Sequence, residues 1–107
     1  MDKQYFLSKL SHLNYSVATH PGDAKSRLGS QATYLFLISI DVIPEHFKKD
    51  FNVLIKLIKD ENQINPVGMG IRFLGKKNTS IVKFIKLLID IENEIRDELE
   101  EFKAIKN

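Results

Sequence analysis

The chain has 107 residues, of which 43% are apolar, and a formal net charge of +2, so it fits one domain of ordinary globular composition with a single core. It has no cysteine, which excludes disulfides, thiolate zinc sites and cysteine nucleophiles. No window approaches the roughly 20 apolar residues of a membrane-spanning helix, and Met1-Asp2-Lys3-Gln4-Tyr5 lacks the marks of a signal peptide, so the expected location is cytoplasmic.

Prolines and a glycine-containing segment divide the chain into four apolar-periodic stretches, which predicts an all-α, four-helix, bundle-like single domain. The first helix is expected over about 3–17, where Phe6, Leu10, Leu13 and Val17 make one stripe. His20-Pro21-Gly22-Asp23 resembles a helix start and opens a second helix, expected over 21–40. Its stripe of Leu28, Ala32, Leu35 and Ser39 is widened by Phe36 and Ile40, so this helix is expected to be the central, most buried one. Pro44-Glu45 opens the third, expected over 44–59, with Phe47, Phe51, Leu54, Ile55 and Ile58 on one face and Lys48, Lys49, Asn52, Lys56 and Lys59 on the other.

From 60 to 78 no helical period survives Pro66, Gly68, Gly70 and Gly75, and a long loop is expected, with a short extended piece near Ile71. Asn78, Thr79 and Ser80 are all good caps for a final helix over about 79–103. Ile81, Leu88, Ile95 and Phe102 recur seven apart, with Phe84, Ile91 and Leu99 between them, as in a coiled-coil seam. About 25 residues would span roughly 37 Å, against roughly 22 Å for the first and third helices, so the end of the final helix is expected to protrude.

Charge is divided unevenly along the chain. Residues 1–89 carry 13 Lys and Arg against 7 Asp and Glu, whereas residues 90–107 carry 3 against 7. No acid occurs between Glu61 and Asp90, and then seven of the twelve residues from Asp90 to Glu101 are acidic. This pattern favours an interaction surface over an active site.

No catalytic constellation emerges. His12, His20 and His46 lie in no recognisable spacing with Asp, Glu or Ser; His46 and Asp50 read as a surface pair one turn apart, and His20, Asp23 and Arg27 as a capping cluster. The acidic run points outward at helical spacing, unlike a loop that wraps a cation, so no metal and no cofactor is expected. Gly68 to Ser80 has glycines, lysines and a helix start, but lacks the spacing of a Walker motif. Asn14-Tyr15-Ser16 and Asn78-Thr79-Ser80 read as chance matches to the glycosylation pattern.

Thr19-His20-Pro21-Gly22-Asp23-Ala24-Lys25, with Arg27-Leu28, then Asp41, Pro44-Glu45, Phe47, Asp50-Phe51 and Leu54, is similar to the pattern of short uncharacterised bacterial proteins of no settled activity. They share a Pro-Gly-x-x-Lys-x-Arg-Leu helix start, a later Asp-x-x-Pro start and a segment like Gly68-Met69-Gly70-Ile71. The resemblance covers about residues 17–95 and implies an all-helical bacterial protein, without adding a catalytic residue.

The expected function is non-catalytic protein–protein interaction by a small cytosolic adaptor, regulator or inhibitor, such as an accessory component of a bacterial or phage conflict system. The expected site is the final helix: Ile95, Leu99 and Phe102 as apolar anchors, with Glu94, Glu98 and Glu101 steering a basic protein partner or a second copy. The competing expectation is a nucleic-acid accessory protein using Arg72, Lys76, Lys77, Lys83 and Lys86.

Overall fold

The computed structural model describes the backbone of residues 2–64, 66–67, 70–71 and 78–106, and the side chains of residues 2–32, 34–60 and 78–101. The described residues are all-helical in character, with four α-helices among them: α1 (Lys3–Thr19), α2 (Ala24–Gln31), α3 (Lys48–Ile64) and the long C-terminal α4 (Asn78–Lys106). The one β pairing among the described residues is a two-residue antiparallel ladder of β1 (Pro66–Val67) with β2 (Gly70–Ile71).

In α1, Asp2 caps the first turn by accepting from the Gln4 amide, and the stripe of Phe6, Leu10, Leu13 and Val17 is buried as its period requires. The adjoining flank meets α4 running antiparallel: Asn14 Nδ2 donates to the Leu88 carbonyl at 3.1 Å and to Glu92 Oε1 at 2.8 Å, while Lys3 Nζ donates to Glu98 at 3.1 Å. Asn14 is therefore a structural residue that ties two helices together.

The start of α2 lies two to three residues later than the sequence suggests. Gly22 adopts φ 113°, a left-handed conformation disfavoured for any side chain, and Asp23 rather than Pro21 makes the helix start, accepting from the Ser26 amide at 2.9 Å. Arg27 Nε donates to the Gly22 carbonyl at 2.9 Å and closes the turn. Asn78, at the start of α4, receives the Lys25 amide on its Oδ1 and donates from Nδ2 to Asp23, so the two helix starts are clasped together. The Asp23 carboxyl is held below its ordinary value of 3.8, chiefly by the Ser26 amide, then by the Ser26 hydroxyl and the Asn78 amide.

The expected continuous helix over 21–40 does not form. After Gln31 the chain tightens into a 3₁₀ segment, Ala32–Leu37, then turns again at Ile40–Val42. The run from Thr33 to Ile43 is rich in β-branched and aromatic residues, which lose side-chain freedom in an α-helix. The change of period matters for what is exposed. At three residues per turn, Ala32 and Leu35 share one row and are buried, whereas Tyr34 and Leu37 share another and face outward. The later part of this stretch is thus partly a surface, and the expectation of burial on most sides is corrected.

Ile43 is extended before Pro44, as the ring of a following proline requires, and a 3₁₀ turn at Glu45–Phe47 runs into α3. Phe51, Leu54 and Ile58 are buried, with Phe47 and Ile55 half-buried beside them. Glu45 pairs with Lys48 at 3.0 Å, and α3 continues to Ile64, five residues past the expected end at Lys59. The rest of the loop expected over 60–78 falls largely outside the described residues, and the extension expected near Ile71 is present at Gly70–Ile71.

All four helices contribute to one cluster of buried side chains, to which α4 gives Ile81, Leu87, Leu88, Ile91 and Ile95. At 29 residues α4 spans about 43 Å, close to the 49 Å long axis of the molecule. No helix among the described residues is long and apolar enough to cross a membrane.

Candidate functional site

Of the α4 residues expected to anchor a partner, the two whose side chains are described pack toward the chain's own core. Ile95 is fully buried in the chain's own core, and Leu99 is half-buried against it; the Phe102 side chain lies outside the described residues. The reason is that α1 and the stretch from Asp41 to His46 flank α4 as far as Glu101. Two of the three expected carboxylates, Glu94 and Glu98, have intramolecular partners. Glu94 Oε1 lies 2.9 Å from His46 Nε2, and Glu98 Oε2 lies 3.1 Å from Lys3 Nζ. His46 therefore meets α4 instead of pairing with Asp50 along its own helix.

These residues line an open cleft of about 610 Å³ that gathers Asp41, Glu45, Glu94, Asp97, Glu98 and Glu101 around Lys3 and His46. Glu94 Oε2 is buried without a hydrogen-bond partner, although the side chain as a whole is one-third exposed. Among the described residues no group of three His, Asp or Glu side chains is placed to hold a metal ion.

Of the alternative basic site, Arg72, Lys76 and Lys77 lie outside the described residues. Lys83 is exposed, and Lys86 is engaged by Asp90 one turn along at 2.9 Å. Lys83 also borders a shallow cleft of about 450 Å³ between α3 and α4, with Val53, Leu57, Phe84 and Leu87 in its lining and Asp50 at its edge.

The most distinctive surface lies on the opposite flank of α1. A groove of about 640 Å³ runs between α1 and the 3₁₀ segment; Tyr5, Lys9, His12, Leu13 and Ser16 form one wall, and Gln31, Tyr34, Leu37 and Ile38 the other. Its rim carries Tyr5 at 53% exposure, Tyr34 at 42% and Leu37 at 72%, the highest exposure among the described large apolar residues. Lys9 Nζ sits 5.3 Å from the Tyr5 ring centroid, a cation–π contact that leaves the ammonium at the groove edge. Among the described residues no Asp or Glu lines this groove, although the chain has 14 of them.

The sequence reading missed this site. Its signal was a second stripe on the first helix, Tyr5, Lys9, His12 and Ser16 at steps of four, three and four, adjoining the core stripe. The other wall is visible only once the 3₁₀ period is known. Neither the protein-family models, nor the curated proteins, nor the solved structures give a match to this chain.

Proposed function

We propose that this chain is a non-catalytic protein-interaction module, a small adaptor, regulator or inhibitor on a single bundle-like domain, and that it binds through the groove between α1 and the 3₁₀ segment. The observation that carries the reading is the exposure of Tyr5, Tyr34 and Leu37 around one depression floored by Leu13 and Ile38. Tyrosine is the residue type most at home at such a place, since its ring contributes apolar area at low entropic cost and its hydroxyl remains hydrated when free. Buried aromatic and aliphatic anchors near the middle of an interface supply most of its binding energy. The interaction class is the one expected from the charge pattern, and the groove beside α1 is proposed as its location in place of the end of α4.

The nucleic-acid reading has less support, because Lys86 is paired with Asp90 and the acidic part of α4 follows directly and would repel phosphates. The test is co-purification of tagged wild type, Leu37→Asp and Val82→Asp, with and without nuclease. Val82 is 52% exposed on α4, away from the groove, and serves as the control. A protein retained by wild type and Val82→Asp but lost with Leu37→Asp supports the groove. Equal recovery by all three overturns it, and recovery abolished by nuclease in every case favours nucleic acid.

A further inference from the structure

The Tyr5 end of the groove and the acidic end of α4 lie toward the same end of the molecule, and the two are complementary. Because Lys3, the first residue of α1, pairs with Glu98 and the two helices are antiparallel, the eight residues of α4 after Glu98 extend beyond the start of α1. They span about 12 Å, and Tyr5 to His12 along the groove wall spans about 10 Å. Asp97, Glu100 and Glu101 are exposed and, among the described residues, make no ion pair. The sequence adds Phe102 and Ile105, three apart, directly after these carboxylates. The groove has the opposite character: Lys9 and His12, apolar walls and, among the described residues, no carboxylate. Even with Lys103 and Lys106 counted, residues 97–106 carry four acids against two bases.

We propose that the occupant of the groove is a second copy of this chain, with the last turns of α4 from each copy lying along α1 of the other, and Glu100 and Glu101 against Lys9 and His12. The exchange is reciprocal, so a two-fold axis closes it and both grooves are filled, as in a symmetric dimer. Oppositely charged groups at the edge set register and the rate of encounter, while the apolar walls hold the complex together. Within one copy the same contact cannot form, since α4 packs against the other flank of α1. This inference rests on the groove being the interaction surface.

The experiment is sedimentation equilibrium of the full chain at several concentrations, for wild type, Lys9→Glu, Glu100→Lys with Glu101→Lys, and the combination of all three. Lys9, Glu100 and Glu101 are exposed, so helix content measured by circular dichroism should be unchanged in each. Wild type should approach twice the 12.3 kDa chain mass, each partial variant should dissociate about tenfold more readily or worse, and the combined charge exchange should recover the dimer. A wild type that stays at 12.3 kDa overturns the proposal, as does a dimer indifferent to the partial variants or not rescued by the combination. If wild type is monomeric while Leu37→Asp still loses a co-purifying protein, self-association falls and the groove reading stands. If wild type is dimeric but Leu37→Asp neither weakens the dimer nor loses a partner, the groove reading falls with it.

Discussion

Ile95 and Leu37 exchange roles between sequence and structure, and substituting each separates the two accounts. Ile95 is fully buried in the shared core, so Ile95→Ala removes buried methyl and methylene groups and leaves a cavity, at a cost of about 2–5 kcal/mol. A chain of 107 residues unfolds with an entropy of about 0.22 kcal/mol per kelvin near its midpoint, so a loss of about 3 kcal/mol lowers Tm by about 13 °C. Leu37 is 72% exposed and its loss from the surface should stay within about 0.5 kcal/mol, or about 2 °C. Leu37→Asp should nevertheless lose binding. Thermal and urea unfolding followed by circular dichroism, with parallel binding measurements, provide the assay. An Ile95→Ala variant as stable as wild type yet unable to assemble would refute the burial argument and restore the outer face of α4 as the interface.

Asn14→Ala should destabilise by about 1–3 kcal/mol in urea titration, because the Leu88 carbonyl and Glu92 each lose a donor and Glu92 keeps only Arg96, at 2.6 Å; no measurable change would show that the α1–α4 tie is not formed. Gly22→Ala should cost about 1–2 kcal/mol, since the backbone there is left-handed and the new methyl would lie 3.2 Å from Ser26 Cβ; wild-type stability would contradict that backbone conformation. Asp23 has a depressed carboxyl in the folded chain, so its contribution is present above the ordinary value of 3.8 and is lost as pH falls through the folded value. Asp23→Ala should therefore unfold at a lower temperature than wild type at neutral pH and converge with it in acid. A gap that persists undiminished at the lowest pH would show that the cap does not depend on ionisation.

The apolar stripes of α1, α3 and α4 were legible because an α-helix repeats its buried face at a fixed angle, and Phe6 to Val17, Phe51 to Ile58 and Ile81 to Ile95 obey that angle. What the stripes did not reveal was which partner buried them. The heptad seam of α4 is equally consistent with an intramolecular or an intermolecular neighbour, and only the placement of α1 beside Leu88, Glu92 and Glu98 decides it. Helix two misled for another reason. Residues 33–43 are apolar enough to suit a buried helix, yet their β-branched and aromatic side chains favour a tighter path, and a change from 3.6 to 3.0 residues per turn moves Tyr34 and Leu37 to the surface. The candidate groove was invisible for the same reason, since half of it is made by that path.

The most direct measurement places a photoactivatable phenylalanine analogue at Leu37, and at Ile89 on the exposed side of α4 as a control, in the intact chain expressed in its source cells. Illumination should yield a discrete protein adduct from position 37, or a covalent dimer if the occupant is a second copy, and none from position 89. Adducts from 89 with none from 37 would contradict the account and return the interface to α4.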